Sequence, residues 1–170
     1  MKRLLLAATL SLFAASSVAA QTVVIVRHAE KVDASADPLL SEAGQARARA
    51  LAAELNDAHP SVILTSPLQR TILTAAPTAD YHSVTSEAVP LDGGVQAHLG
   101  AIVARVQALP EDATVLIVGH SNTVPLIARA LGYAEAADMP ECEYDRMTVL
   151  HLNGASAHGV VSRYGEPTTC

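Results

Sequence analysis

The chain has 170 residues, half of them hydrophobic, with 11 lysines and arginines against 17 aspartates and glutamates and a net charge of −6. No basic run occurs and aromatic residues make up 3% of the chain, so the composition disfavours general nucleic-acid binding. The length suits one domain with a substantial hydrophobic core.

The first twenty residues have the pattern of a signal peptide. Lys2 and Arg3 give a positive start, residues 4–15 are mostly apolar, and Val18-Ala19-Ala20 is a small-residue cleavage site. We therefore expect cleavage after Ala20, a mature domain over residues 21–170, and a secreted or periplasmic protein. The apolar run is too short to span a membrane and no later run is longer, so no membrane span is expected.

Strands and helices alternate from Thr22 onward. The continuous apolar run 22–26 predicts a strand buried on both faces. Ser41 predicts the N-cap of a helix that runs to about Asp57, and residues 62–65 predict a second strand. Ser66-Pro67 then predicts the start of a helix, with serine as N-cap and proline at the first position.

The second half of the chain continues the alternation. Pro77 is expected to end the second helix, and the later elements are an extended stretch at 82–91, a helix at 95–109, a strand at 114–118, a helix at 123–131 that Gly132 stops, and strands at 147–152 and 160–164 joined through Asn153-Gly154. This order predicts an α/β fold. We expect a three-layer α/β/α sandwich with a mostly parallel sheet and an antiparallel edge strand.

Cationic side chains follow three of the predicted strands. Arg27 and His28 follow the first strand, Arg70 lies one turn into the helix after the second, and His120 follows the strand at 114–118. Parallel strands bring their carboxyl ends to one edge, so these side chains are expected to meet there. Arginine matches phosphate oxygens bidentately, and helix N-termini at 66–68 and 121–124 are expected to add N–H donors. The other histidines are given structural or surface roles: His59, His82, His98, His151 and His158.

The two cysteines, Cys142 and Cys170, are expected to form a disulfide if the chain is exported, which would tie down the C-terminal region. Two free thiols are the alternative. No C-x-x-C pair occurs, so neither a redox dithiol nor a zinc knuckle is indicated.

Three separated motifs carry a family resemblance. VVIVRHAEK, LTSPLQRTILTA and LIVGHSNTVP, with the closing EYDRMTVL and SRYG, resemble the histidine phosphatase superfamily, the phosphoglycerate mutase-like group, branch 1 type. The resemblance implies a phosphoglycerate mutase-like fold and a phosphohistidine formed on His28. It also implies that Arg27 and Arg70 clamp the phosphate and that His120 stabilises it. Ala29 departs from the glycine that many members have there.

The resemblance also implies a general acid between the second and third motifs. Asp92 is the tentative candidate, Glu87 is the second, and Glu30 is the carboxylate closest in sequence to His28. Each could equally be a solvated surface acid. No metal or cofactor is expected, because arginines can neutralise the phosphate charge and the chain has no P-loop or Rossmann glycine pattern. The expected partner is a small phosphorylated substrate or phosphate, whose identity is not specified.

Gly119-His120-Ser121-Asn122-Thr123 also partly matches the G-x-S-x-G turn of serine esterases. In that alternative Ser121 is the nucleophile, with later acids and histidines available for a triad: Asp138, Asp145, His151 and His158. However, Thr123 replaces the last glycine, and the esterase hypothesis assigns no role to Arg27 or Arg70. A non-catalytic phosphate-binding module is a third hypothesis. A mutase is disfavoured, because an exported protein meets no pool of phosphorylated sugar acids.

Overall fold

The computed structural model describes residues 20–154 and 156–170, which form six strands and four helices. The predicted signal sequence therefore lies outside the described residues except for Ala20. The elements in chain order are β1 (Gln21–Arg27), α1 (Glu42–Glu54), β2 (Val62–Thr65), α2 (Gln69–His82), β3 (Ser86–Ala88), α3 (Gly94–Gln107), β4 (Thr114–Gly119), α4 (Val124–Ala130), β5 (Arg146–Asn153) and β6 (Ser156–Arg163). None of these helices is long and apolar enough to cross a membrane.

All six strands belong to one mixed sheet, in the order β3-β2-β4-β1-β5-β6. The first four in that order are parallel to one another, as expected from their helical connections. β5 pairs antiparallel with β1, and β6 pairs antiparallel with β5, so the predicted antiparallel edge is a hairpin. The mostly parallel α/β architecture predicted from the sequence is confirmed.

The sheet separates two hydrophobic cores, because successive side chains of each central strand point to opposite faces. Val23 and Ile25 of β1 pack with residues of α3 and α4, whereas Val24 and Val26 pack with residues of α1 and α2. Both faces of the parallel strands are therefore covered, and all four of these side chains are at most 3% exposed. This explains why residues 22–26 are apolar without alternation.

The start of α2 differs from the prediction. Ser66-Pro67 does not begin the helix, which starts at Gln69 after an N-cap at Leu68 that provides no side-chain hydrogen bond. The backbone N–H of Gln69 donates instead to the carboxylate of Asp37, at 2.7 Å. The N–H at the actual start of α2 is therefore used within the protein, whereas the sequence analysis expected a helix N-terminus at 66–68 to donate to an anion.

The end of α2 also differs, since Pro77 lies inside the helix and does not end it. A proline within a helix costs about 3 kcal/mol because it removes one hydrogen bond and crowds the preceding turn. Thr74, Ala75 and Thr78 lie beside it and are fully buried, so packing holds the helix together across the proline. The helix ends at His82, where Ser83 takes the left-handed conformation with φ 55°.

Other local predictions are confirmed. The hydroxyl of Ser41 accepts from the backbone N–H of Gly44 and so caps α1. Gly132 has φ 101°, the left-handed conformation that follows the end of α4. Cys142 and Cys170 form the expected disulfide, with Cα atoms 5.3 Å apart and a sequence separation of 28.

Gly44 is required by a close approach between α1 and the segment after β1. A Cβ at this position would lie 2.2 Å from the carbonyl oxygen of Glu30, which is backbone and cannot move away cheaply. We therefore expect Gly44→Ala to lower the free energy of unfolding by about 1–3 kcal/mol or more, measured by urea denaturation.

Gly100 of α3 is the matched control, because a Cβ there would meet nothing within 4 Å. Gly100→Ala should raise the free energy of unfolding by about 0.5–1 kcal/mol, since alanine is the better helix former. Equal effects of the two substitutions would contradict the packing at Gly44.

Candidate active site

The in-register pairing of β1 with β4 brings the candidate residues together. Arg27, the last residue of β1, lies opposite Gly119, the last residue of β4. The backbone N–H of His28 then donates to the carbonyl of Gly119, at 2.9 Å. As a result the rings of His28 and His120 lie side by side, with centroids 5.3 Å apart.

His28 is oriented by the main chain. Its Nδ1 lies 2.8 Å from the carbonyl oxygen of Ala29, and because a carbonyl can only accept, Nδ1 carries the proton. Nε2 is therefore the nitrogen with a free lone pair. The methyl group of Ala29 is fully buried in a small cluster with Leu40 and Ala48, so an alanine fits at this position.

His120 is held by hydrogen bonds to the segment after β2 and to the turn before α4. Its Nε2 lies 3.1 Å from the hydroxyl of Ser66, and its backbone N–H donates to the hydroxyl of Thr123 at 3.0 Å. A Cβ on Gly119 would lie 3.0 Å from that same hydroxyl, so the glycine allows the turn to close tightly. Thr123, which the esterase pattern would have as glycine, thus fastens the turn that carries His120.

Arg27 is almost completely buried, with 2% of its surface exposed. Its Nη2 forms an ion pair with the carboxylate of Glu141 at 3.0 Å, which lessens the cost of burying the charge. Its Nε is buried and has no hydrogen-bond partner among the described residues.

Arg70 reaches the pocket from the first turn of α2. Its Nη1 donates to the carbonyl of Ala36 at 3.3 Å, and its Nε is buried without a partner among residues 20–154 and 156–170. The hydroxyl of Thr74 donates to the carbonyl of Arg70 and accepts from the backbone N–H of Ala29. The helix that carries Arg70 is thereby fastened to the segment that carries His28.

The pocket keeps both histidines neutral. Burial is the largest cause that lowers the pKa of His28, to about 4, and the charges of Arg27 and Arg70 lower it further. Burial likewise lowers the pKa of His120 to about 3, with contributions from His28, Arg70 and Arg27. The four predicted residues thus share one electrostatic environment, as their positions at the strand ends predicted.

Two of the three candidate general acids are engaged elsewhere. Glu87 forms an exposed ion pair with Arg105 at 2.7 Å, and Glu30 forms a largely buried ion pair with Arg47 at 2.7 Å. Asp92 is exposed in the turn before α3, and its carboxylate has no hydrogen-bond or ion-pair partner within the part of the chain that the structure describes. No group of three histidine, cysteine or acidic side chains in that part is placed to hold a metal ion.

The esterase triad does not assemble around Ser121. Its hydroxyl donates to the carboxylate of Glu141, not to a histidine. The ring of His151 lies 3.3 Å from the hydroxyl of Thr22, near the opposite end of β1 from His28, and His158 lies across from His151 in the β5–β6 hairpin. Asp145 binds Arg163 and Asp138 binds Arg129, so neither orients a histidine.

Sequence reasoning missed three residues of the site: Ser66, Glu141 and Tyr144. Ser66 was expected to be a helix cap, although it bonds His120. Glu141 and Tyr144 lie in an irregular segment, where no periodicity marks them. The ring of Tyr144 lies under the guanidinium of Arg27, 4.0 Å from its central carbon. The resemblance was an available signal for two of them, since Ser66 lies in LTSPLQRTILTA and Tyr144 lies in EYDRMTVL.

Comparisons with known proteins agree with this geometry. A family model described as the histidine phosphatase superfamily (branch 1) matches residues 23–91. Phosphoserine phosphatase 1 of Hydrogenobacter thermophilus is 44% identical over 64 residues, which cover 34% of this chain and 30% of that protein. The match therefore spans about a third of the length of this curated relative.

Two solved structures are similar over most of the chain. A Nakamurella multipartitia protein, provisionally assigned as phosphohistidine phosphatase SixA, is 27% identical, with a TM-score of 0.58 over 87% of this chain and 96% of that one. A protein histidine phosphatase SixA in complex with tungstate is 22% identical, with a TM-score of 0.63 over 84% and 95% of the two chains. The second likeness supports the fold alone.

The lowered pKa values of His28 and His120 predict a pH-dependent stability. The unfolded chain takes up protons on both rings near pH 6.5, whereas the folded chain does so near pH 4 and below. Because the unfolded state binds more protons in that window, the free energy of unfolding should be highest above about pH 6.5 and fall towards pH 4.

NMR spectroscopy of the imidazole resonances measures this directly. Between about pH 7 and 5.5 the rings of His28 and His120 should not titrate in the folded protein, and both should titrate near the ordinary histidine value of about 6.5 in urea. Saturating inorganic phosphate should raise both pKa values, because an anion stabilises imidazolium. Titration near 6.5 in the folded, anion-free protein would contradict the desolvated pocket.

Proposed function

Because the chain belongs to branch 1 of the histidine phosphatase superfamily, we propose that it is a phosphomonoesterase that forms a phosphohistidine on His28. Arg27 and Arg70 bind the phosphoryl oxygens, and His120 stabilises the negative charge that they carry. Asp92 protonates the leaving oxygen. The substrate is a small phosphorylated molecule.

The observation that carries the proposal is a set of nitrogen atoms that lack partners. Arg27 Nε, Arg70 Nε and His120 Nδ1 are buried and form no hydrogen bond with the described residues. Buried donors without acceptors are costly, so their clustering around His28 supports an anion-binding site there. All three belong to residues whose charges act on the ring of His28 or on one another.

The first chemical step follows from the tautomer of His28. With the proton held on Nδ1 by the carbonyl of Ala29, the lone pair of Nε2 attacks phosphorus. The P–N bond forms as the bond from phosphorus to the ester oxygen breaks, and that oxygen takes a proton from the acid. Water then attacks phosphorus and gives a proton to the carboxylate as the P–N bond breaks, which releases phosphate and neutral His28 and restores the acid.

His120 supports this step from the side of β4. When the hydroxyl of Ser66 donates to Nε2, the ring carries its proton on Nδ1, the nitrogen without a partner among the described residues. That N–H can then donate to a phosphoryl oxygen. Positioning and charge stabilisation of this kind supply most of the catalysis in phosphoryl transfer.

Asp92 is the acid because its position suits the role better than that of Glu87 or Glu30. It follows the carboxyl end of β3, at the same edge of the sheet as His28 and His120. His98 of α3 hydrogen-bonds the carbonyl of Pro90, two residues before Asp92, and lies close enough to contribute to the lowered pKa of His120. The turn that carries Asp92 therefore lies beside the pocket.

We also propose export to the periplasm or the exterior. The signal-like pattern of residues 1–20 and the disulfide between Cys142 and Cys170 support it, since disulfides persist in oxidising compartments. Export favours hydrolysis over a mutase reaction, because no pool of phosphorylated sugar acids is available outside. N-terminal sequencing of the exported protein should give Gln21 as the first residue, and an intact N-terminus at Met1 would contradict export by cleavage.

Trapping of the intermediate tests the nucleophile. Wild-type protein incubated with a ³²P-labelled phosphomonoester and quenched in base should retain label, because phosphohistidine survives base. His28→Ala should retain none and lose activity by at least about three powers of ten, the scale expected when a nucleophile is removed.

Ser121→Ala is the control, since the esterase alternative makes this serine the nucleophile. It should still become labelled, and wild-type protein should not cleave a carboxylic ester. If wild-type protein binds inorganic phosphate but neither becomes labelled nor hydrolyses any ester, the non-catalytic phosphate-binding module replaces the enzyme.

Asp92→Asn tests the general acid. It should lower kcat by about 10²–10⁴-fold for an alkyl phosphate, and much less for p-nitrophenyl phosphate, whose leaving group needs no proton. Glu87→Gln is the matched control, because it removes a carboxylate from β3, the strand that precedes the turn of Asp92, while leaving the pocket intact. Equal losses on both substrates, or a larger loss in Glu87→Gln, would exclude Asp92 from this role.

A further inference from the structure

The guanidinium group of Arg27 is held by one irregular segment of the chain, Pro140–Tyr144, which we call the 140–144 segment. Nη1 donates to the carbonyl oxygens of Glu141 at 2.6 Å, Glu143 at 3.1 Å and Pro140 at 3.3 Å. Nη2 donates to the Glu141 carboxylate, and the ring of Tyr144 packs against the guanidinium plane. Every residue from Pro140 to Tyr144 except Cys142 therefore contacts Arg27.

These contacts determine which donors of Arg27 remain for a ligand. A guanidinium has five N–H donors in a fixed plane. Both donors of Nη1 and one donor of Nη2 are used by the 140–144 segment, which leaves Nε–H and the second donor of Nη2. Two neighbouring donors on one edge of the plane are what bidentate binding of a phosphate requires.

The 140–144 segment has no regular secondary structure to hold it in place. Residues 136–145 form turns and irregular backbone, without helix or strand. Local stability is generally low in such segments, because few backbone hydrogen bonds resist their opening. The carbonyls that orient Arg27 therefore depend on ties to the rest of the protein.

Cys142 lies in the middle of the segment, between two of the three residues whose carbonyls bind Arg27. Its disulfide to Cys170 joins the segment to the residues that follow β6. Thr168 adds to the same junction, since its hydroxyl donates to Asp145 at 2.7 Å and accepts from the backbone N–H of Tyr144 at 3.4 Å. Arg146 contacts the side chain of Glu143, but the disulfide is the covalent tie.

We propose that the Cys142–Cys170 disulfide is a positioning element for Arg27: it fixes the 140–144 segment, which in turn aims the free edge of the guanidinium at phosphate. The inference rests on the proposed role of Arg27 in phosphate binding, but not on turnover. The disulfide acts on affinity for the phosphoryl group, and it contacts neither substrate nor the reacting atoms.

A double-mutant cycle tests this coupling. The four proteins are wild type, Cys142→Ser/Cys170→Ser, Arg27→Ala, and the triple variant. Binding of inorganic phosphate is measured by isothermal titration calorimetry, and orthovanadate inhibition and KM for p-nitrophenyl phosphate are measured alongside. Circular dichroism at the assay temperature establishes that each protein is folded.

With Arg27 present, loss of the disulfide should weaken phosphate binding about tenfold, the scale of one hydrogen bond to a charged group. KM should rise in parallel while kcat changes less. In the Arg27→Ala background the same loss should change phosphate affinity less than about twofold, because independent sites are additive and coupled sites are not. Equal losses in both backgrounds, or no loss in either, would overturn the proposal.

Thr168→Val provides a second cycle if the disulfide-free protein does not fold. It keeps the disulfide but removes the hydroxyl that joins Asp145 and Tyr144, and we expect a loss of about threefold in phosphate affinity that again requires Arg27. Absence of coupling in this cycle would likewise overturn the proposal.

If wild-type protein binds no phosphate, both the positioning role and the proposed function fail. If it binds phosphate without hydrolysing esters, the function fails and the cycles decide the positioning role.

Discussion

The parallel, in-register pairing of β1 with β4 is the constraint on which the site depends. It sets Arg27 opposite Gly119, so the two residues that leave these strands, His28 and His120, emerge next to each other. β2 pairs with the other side of β4 in the same direction, so the chain leaves β2 at the same edge of the sheet. A shift of β1 by one residue would turn its apolar side chains to the opposite faces, so the two packed cores fix this register firmly.

The site concentrates positive charge in a protein whose net charge is negative. The repulsion between these groups is reduced because His28 and His120 stay neutral, owing to their burial and to the charges of Arg27 and Arg70. The burial of the Arg27 guanidinium is compensated by a carboxylate, three carbonyls and an aromatic ring. The pocket residues therefore carry buried donors without acceptors among the described residues but few excess charges, an arrangement that suits the phosphate binding proposed for the site.

The sheet, the two cores and the four cationic residues could be predicted because they follow from repeating features. Continuous apolar runs mark strands that are buried on both faces, and parallel strands bring their carboxyl ends to a common edge. Features that depend on contacts between distant segments could not be predicted. Asp37 caps α2 from 32 residues away, and Glu141 pairs with Arg27 across 114 residues. Ser66 illustrates the same limit, since its sequence context suits a helix cap but His120 competes for its hydroxyl.

Residues 31–37 are exposed, and unlike the buried strands they contact the pocket through the main chain. They touch Arg70 through the carbonyl of Ala36, a group that every amino acid provides. Side chains in this stretch other than Lys31, whose charge acts on His28, and Asp37, which binds the start of α2, can therefore change without altering the contact with Arg70. Evolution can thus alter the surface beside Arg70 through this stretch, while the pairing of β1 with β4 keeps His28 and His120 in place.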